Sequence, residues 1–382
     1  METDNNIKKL GLEGGPCSGK TTGLYVASEK LVKLGFLPVI VPEAATMLLK
    51  NGITYKNLGS VEFQRAIVKM QLQNEEFYKE YAIKSAQKLN LKPILLNDRA
   101  LLTGAAYLTE NSDTQHFQKE ILNDFNLSIE DARVRYDGII HMVTAANGAE
   151  EFYTLENNEA RSETPQEARD LDLRTQNVWV GHPHLRVIPN IDKNGNRITF
   201  EQKIDKVLAE ILCILGYPVP IEIEERYLIK SFDPKHLIDL GIRCEATDIE
   251  QTYLLSGNES TVERVRKRTY YESSSYFHTT KIDYPEKGGR IEKDFGTLKS
   301  EFLSSLTRRD PTRHTIYKKR HCFLWKYQYF EVDVFAKRND GTIIMEREKT
   351  DLNESTELPN FIDVIEDITN NPKYSNSNLA LN

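Results

Sequence analysis

The chain has 382 residues, of which 39% are hydrophobic and 28% charged, with 50 Lys+Arg against 57 Asp+Glu for a formal net charge of −7. That composition suits folded material of two or three domains and excludes a general nucleic-acid coat protein, which carries a basic excess. The apolar runs fall short of the roughly 18 residues a membrane span needs, and Met1-Glu2-Thr3-Asp4-Asn5-Asn6 reads as no secretory signal.

Up to about residue 216 strand-like and helix-like text alternate. An apolar segment from Ile7 to Leu12 runs into a Gly-rich turn containing Cys17, and Lys20 to Leu34 then reads as a helix. Leu37–Val41 is a second strand, ending at Pro42-Glu43. Ser60 to Leu89 carries apolar residues at helical spacing without Gly or Pro, as one or two long helices. Pro93–Leu96, Ile139–Val143 and Leu185–Ile188 are further strands, and Thr199–Leu215 closes the unit as a helix. Such alternation predicts a doubly wound parallel sheet with helices on both faces over residues 1–216.

Gly14-Gly15-Pro16-Cys17-Ser18-Gly19-Lys20-Thr21 fits GxxxxGK[ST] between a strand and a helix. Glycines let the loop wrap so that backbone N–H groups point at phosphate oxygens, while Lys20 reaches the β/γ-phosphates and Thr21 ligates Mg²⁺. The nucleotide-binding set is therefore Gly15, Pro16, Cys17, Ser18, Gly19, Lys20, Thr21 and Thr22. Asp98-Arg99 follows a strand where a metal-organising or catalytic carboxylate sits, and Glu43 lies at another strand's carboxyl end. Arg169 and Arg174, in the charged stretch from Arg161 to Arg174, are candidates to fold over the transferred phosphoryl group as a lid.

These residues, with Val41-Pro42-Glu43-Ala44-Ala45, Asn97-Asp98-Arg99 and Gly181–Asn190, resemble the P-loop kinase-like NTPase domain of proteins related to the TRPL translocation defect protein. More distantly they are similar to ribosylnicotinamide and nucleoside-monophosphate kinases. The resemblance implies nucleotide binding. No NKxD guanine signature is present, so GTP and ATP both stand as the nucleotide.

Gly216–Pro220 is a punctuated joint, giving a linker at 217–221, a second domain at 222–370 and a polar tail at 371–382 predicted to fray. Eight short alternating segments between Glu222 and Lys349 predict an antiparallel sheet or barrel. Charged residues recur at every second position: Glu222, Glu224 and Arg226, then Arg264, Arg266 and Arg268, then Lys281, then Arg290, Glu292 and Asp294. Lys318 and Arg320, Glu331 and Asp333, and Glu346 and Glu348 continue the series. A strand puts such residues on one face. That face is either an ordinary solvated exterior or the lining of a barrel, where both signs suit a polyphosphate held with a divalent cation.

The opening Glu222–Ile229, then Gln251–Leu254, Arg264/Arg266, Thr279–Lys281, Arg290–Glu292, Lys318–Arg320, Glu331–Phe335 and Glu346–Glu348, resemble the CYTH, or triphosphate tunnel metalloenzyme, superfamily in its order. The resemblance implies an α+β domain with an antiparallel β-barrel tunnel. It implies Glu222, Glu224, Glu292, Glu346 and Glu348 as ligands of Mg²⁺ or Mn²⁺, and Arg226, Arg264, Arg266, Lys281, Arg290, Lys318 and Arg320 as the triphosphate grip. Arg226 replaces the family's usual Lys and Asp294 is a shortened carboxylate, changes that bear on hydrolysis more than on binding. P-loop domain followed by tunnel domain is the order of the TRPL-translocation-defect type, which implies GTP binding and an anionic phospholipid such as phosphatidic acid as partner.

The sequence thus predicts a cytoplasmic Mg²⁺-dependent NTPase or small-molecule kinase with an attached triphosphate-binding or triphosphate-hydrolysing tunnel, nucleic acid not being a partner. The alternative is a non-catalytic GTP-binding adaptor, peripheral to membranes through headgroup recognition, since no basic amphipathic helix or lipidation signal supports permanent attachment.

Overall fold

The computed structural model describes residues 7–108, 113–153, 164–192, 194–217, 223–257, 261–284, 289–350 and 354–381, apart from the side chains of 283, 284 and 289–292. The chain divides into two compact units, Met1–Ile211 and Leu212–Asn382.

The first unit runs β1 (Lys8–Gly14), α1 (Lys20–Lys33), β2 (Phe36–Val41), α2 (Ala44–Lys50), α3 (Tyr55–Leu58), α4 (Ser60–Leu89), β3 (Lys92–Asp98), α5 (Thr103–Leu108), α6 (Thr114–Glu120), α7 (Ile129–Val134), β4 (Gly138–Met142), α8 (Pro165–Asn177), β5 (Leu185–Ile188) and α9 (Phe200–Ile214). Its five strands are all parallel, in the order β2-β3-β1-β4-β5. Leu10, Leu12, Leu95, Leu96, Ile139 and Ile140 are fully buried, as a sheet covered on both faces requires. The long helical text is one helix, α4. It buries Phe63, Gln64, Val68, Gln71, Glu75, Ala82 and Ala86 along one stripe. Glu75 is charged within that stripe, and Lys9, Arg135 and the Tyr136 hydroxyl all bond to its carboxylate, which satisfies the buried charge. Thr164-Pro165-Gln166-Glu167 starts α8 with a complete capping box and Pro at the first turn.

The second unit runs β6 (Ile223–Ile229), α10 (Pro234–Asp239), β7 (Cys244–Leu254), β8 (Thr261–Tyr270), β9 (Ser273–Tyr284), β10 (Gly289–Gly296), α11 (Lys299–Ser305), β11 (Ile316–Trp325), β12 (Gln328–Ala336), β13 (Ile343–Lys349), β14 (Val364–Asp367) and α12 (Asn376–Leu379). Nine strands form one antiparallel sheet in the order β10-β9-β8-β7-β11-β12-β13-β6-β14. The expected barrel is not closed: among the described residues no ladder joins β10 to β14. Period-two text fixes which residues share a face, whereas closure depends on strand number, tilt and stagger. β14 is short, fully exposed and irregular in register against β6, a poor strand for continuing the sheet.

The polar tail is ordered against the second unit. Instead of fraying, Pro372–Tyr374 and α12 fold back on the sheet. Ile368 and Ala380 are fully buried with Tyr253, Ile316, Phe335 and Ile344, and the His314 N–H donates to the Ala380 carbonyl at 2.8 Å. Three apolar side chains of the tail suffice, because each falls on this cluster beside Ile368: Tyr374, Leu379 and Ala380. The opposite sheet face carries the main apolar cluster, Tyr227, Ile229, Phe323, Phe330, Val332 and Met345, against Leu237 of α10.

Candidate functional site

In the first unit β1 stops at Gly14 and α1 begins at Lys20, so the intervening loop lies at the carboxyl edge of the sheet beside its central strand. Gly19 is the N-cap at φ 81°, left-handed backbone that favours glycine, and it brings no side-chain oxygen to the first-turn N–H groups. An uncapped helix start of this kind is a ready anion site. Lys20 is 7% exposed and ion-paired with Asp98, whose other oxygen lies 3.4 Å from the Thr21 hydroxyl. β1 and β3 are neighbours, which is why two residues far apart in sequence meet here.

Glu43 and Arg99 also come together. The Arg99 Nε donates to Glu43 at 2.6 Å, and Thr46 donates to the other Glu43 oxygen at 2.6 Å. Burial alone would raise the Glu43 pKa, but Arg99 and then Lys20 outweigh it and hold the carboxyl at about 2. A carboxylate so acidic is a poor general base and a good fixed hydrogen-bond acceptor. Its depressed pKa also has a stability consequence. Glu43 contributes stability above its ordinary value of 4.5, lost as pH falls toward about 2. Acid melting curves are expected to be shallower over that window in Glu43→Gln than in the parent; parallel curves would contradict the linkage.

Arg169 turns its Nη1 onto the Ala146 carbonyl, 2.8 Å away in the loop after β4. Arg174 lies five residues on, about 140° around the helix, so the two arginines do not share a face. The start of the expected lid, Arg161 to Glu163, lies outside the described residues.

Three further buried residues organise this end of the sheet and were not singled out by sequence. Asp172 of α8, 2% exposed, accepts at one oxygen from the Gly15 N–H at 2.7 Å, the Thr144 N–H at 3.1 Å and His141 Nε2 at 2.9 Å. Gln176 donates to its other oxygen at 2.9 Å. A Cβ on Gly15 would collide with Asp172, so the glycine there allows close approach of helix and loop. Lys203 of α9 donates to the Ser18 carbonyl at 3.1 Å and to the Val143 carbonyl and Asn190 Oδ1 at 2.7 Å each. Burial lowers its pKa to about 8 despite the opposing pull of Asp172. Glu13 is fully buried at the end of β1 and accepts from the Ala100 N–H at 2.8 Å. Burial raises its pKa, against Arg99 3.7 Å away.

Asp172→Ala would strand two backbone donors and a buried imidazole, and is expected to cost about 3–5 kcal/mol in urea unfolding. Asp172→Asn keeps one acceptor oxygen and is expected to cost less. Equal losses would mean that packing, and not the acceptor, carries the effect.

In the second unit the register places Glu224, Arg226, Arg264, Arg266, Lys281, Lys318, Arg320, Glu346 and Glu348 on one face. Directly paired positions run Arg226–Glu346–Glu331 across β6, β13 and β12, and Arg320–Asp333 across β11 and β12. Tyr253–Arg264–Thr279–Asp294 link β7 to β10. Much of this charged face is buried: Asp333 is 0% exposed, Lys318 5%, Glu346 6% and Arg264 8%.

Lys318 and Arg320 are engaged with carboxylates. Both bond to Asp333, Arg320 additionally to Glu331 and, at 2.7 Å, to Glu346. Burial would raise the Asp333 pKa, but Arg320 and Lys318 outweigh it and hold it well down. Glu346 is pushed up, by burial and then by Asp333. Arg226 donates to the Tyr374 and Thr369 carbonyls at 3.1 and 3.3 Å, and its Nε is 3.8 Å from Glu224. The expected carboxylate metal site is not assembled among the described residues, where no group of three or more His, Cys, Asp or Glu is set to hold an ion. Of the expected ligands, Glu346 bonds to Arg320 and Glu224 lies beside Arg226. Glu222 lies outside the described residues, as do the side chains of Arg290 and Glu292.

No helix of the described residues is long and apolar enough to cross a membrane. The family model described as an AAA domain matches residues 9–195. No curated protein matches the chain. Among solved structures, the chain is similar to the inorganic triphosphatase NE1496, at 24% identity over 42% of this chain and 95% of that one, with a TM-score of 0.31. It is also similar to thymidylate kinase from Ehrlichia chaffeensis, at 19% identity over 55% and 98%, with a TM-score of 0.34.

Proposed function

We propose that the first unit binds GTP or ATP through Gly15–Thr22 and transfers or hydrolyses its γ-phosphoryl group, and that the charged sheet face of the second unit binds a triphosphate or a phosphate headgroup. The observation that carries the first part is the convergence of an uncapped helix start, Lys20, Thr21 and Asp98 at the ends of two adjacent parallel strands. In this reading the loop N–H groups and Lys20 hold phosphate oxygens. Arg169 stabilises charge as it spreads, and Arg99 and Glu43 fix the acceptor side. The Thr21 hydroxyl and Asp98 carboxylate are hard oxygen donors that suit Mg²⁺, which when bound would neutralise charge on the phosphates. Asp98 must then exchange Lys20 for the ion.

For the second unit a binding role is favoured over hydrolysis. Lys318, Arg320, Asp333 and Glu346 are already neutralised by one another. Arg264, Arg266 and Lys281, on the β8–β9 side, bring three further cations to the same face. A nucleotide-binding adaptor that recognises an anionic phospholipid fits the same geometry.

The test is chromatographic product analysis after incubating ATP, GTP and tripolyphosphate with Mg²⁺, for the parent, Lys20→Ala and Glu224→Gln/Glu346→Gln. Diphosphate product lost only in Lys20→Ala supports the reading. Cleavage lost only in the glutamate variant overturns it and makes the sheet the enzyme. No turnover, together with nucleotide-dependent retention on vesicles containing phosphatidic acid, favours the adaptor.

A further inference from the structure

The second unit carries a basic cavity of about 290 Å³ lined by Arg309, His314, Thr315, Tyr317, Lys337 and Arg338. It is distinct from the charged sheet face. In β11 Tyr317 has the opposite parity to Lys318 and Arg320, and successive residues of a strand alternate between faces. No carboxylate lines it. The nearest acid in sequence to Arg309, Asp310, is occupied by the Thr312 N–H and hydroxyl and by Arg313. Arg309, Lys337 and Arg338 are all exposed, so an anion can reach them from solvent.

The backbone supports a built arrangement. Lys337 begins the tight turn Lys337–Asn339 between β12 and β13 at φ 60°, a left-handed conformation that a lysine adopts only at a cost. That turn sets Lys337 over the Tyr317 ring and places Arg338 beside it. Asn339 donates to the Leu379 carbonyl at 2.9 Å, which fixes its amide so that Oδ1, 3.0 Å from His314 Nε2, accepts from it. His314 Nδ1 is buried and has no hydrogen-bond partner. It can accept from a P–OH group. Thr315 and Tyr317 add hydroxyls.

We propose that this cavity is a second anion site, separate from the nucleotide loop and the charged sheet face, and that it takes a phosphate group, free or as a monoester. Its volume is near the lower end for small-molecule sites, which leaves space for the group to which a phosphate is esterified. Arg309, Lys337 and Arg338 supply charge-assisted hydrogen bonds, and the open mouth admits a headgroup as readily as a soluble ester.

Calorimetric titration of the full chain with inorganic phosphate tests it, on the parent, Lys337→Glu/Arg338→Glu, His314→Gln, and Lys235→Glu as a charge control on α10. The cavity double variant is expected to lose about 100-fold in phosphate affinity and His314→Gln about tenfold, with Lys235→Glu within about threefold of the parent. Thermal unfolding of each variant separates lost binding from lost folding, and His314→Gln carries the test if the double variant fails to fold. Glycerol phosphate and vesicles of phosphatidylcholine with or without phosphatidic acid distinguish the source. Retention on phosphatidic-acid vesicles that inorganic phosphate displaces identifies a lipid headgroup, and glycerol-phosphate binding without retention a soluble ester. Absence of saturable phosphate binding by the parent, or equal binding by folded cavity variants, overturns the proposal.

Discussion

Replacing Lys20 with Ala is expected to lower nucleotide turnover by about 10²–10³-fold, the usual consequence of deleting one preorganised charge from a phosphoryl-transfer site. Lys20 is 7% exposed and held by Asp98 across the β1–β3 edge, so its ammonium is already positioned where the loop N–H groups converge. The substitution also leaves Asp98 facing phosphate oxygens without a cation, adding repulsion to the lost attraction. Folding should be much less affected. Asp98 is at the open carboxyl edge, about a tenth exposed, and keeps the Thr21 hydroxyl nearby. Nucleotide affinity, turnover and urea unfolding measured together check this. Lys20→Arg, which keeps the charge but not the point geometry, should recover binding more than turnover. Undiminished turnover in Lys20→Ala would remove the loop from the chemistry.

Strand and helix spacing made the first unit readable because local text and tertiary demand agree there. Leu185–Ile188 is a strand in both, and Lys20 is the first helical residue in both. The residues that hold the loop in place were harder to see. Asp172 was read within a charged lid, yet Ala168, Leu171, Asp172, Thr175 and Gln176 form the buried stripe of α8, at helical spacing. That spacing was a usable signal. Nothing local marks Lys203, since its partners Ser18, Val143 and Asn190 come from three other segments. In the second unit the alternation correctly placed charges of both signs on one face. It could not reveal that Arg320 would gather Asp333, Glu331 and Glu346, because side-chain pairing across strands depends on register. Nor does composition foresee a tail that folds back on three apolar side chains.

Asp333→Ala is expected to destabilise the second unit by about 3–5 kcal/mol, a large part of the stability of an ordinary domain. Asp333 is 0% exposed, and its two oxygens bond to Lys318 and Arg320, whose charges would otherwise be buried with insufficient compensation. Glu346 decides how much of that range is realised. It already bonds to Arg320, and Asp333 is among the groups that push its pKa up. Once Asp333 is gone, Glu346 ionises more readily and becomes the main remaining counter-charge for both cations. Asp333→Ala/Glu346→Ala should therefore lose more than the sum of the single losses, whereas independent sites would add. Lys318→Met/Asp333→Leu should recover stability relative to Asp333→Ala, because it removes one buried charge of each sign and leaves Arg320 with Glu331 and Glu346. Urea unfolding of the five chains, parent included, measures all three differences. The same series bears on function. If Lys318 and Arg320 are held from phosphate by these carboxylates, Asp333→Asn should bind tripolyphosphate more tightly than the parent. Weaker binding would mean that the paired arrangement itself shapes the site.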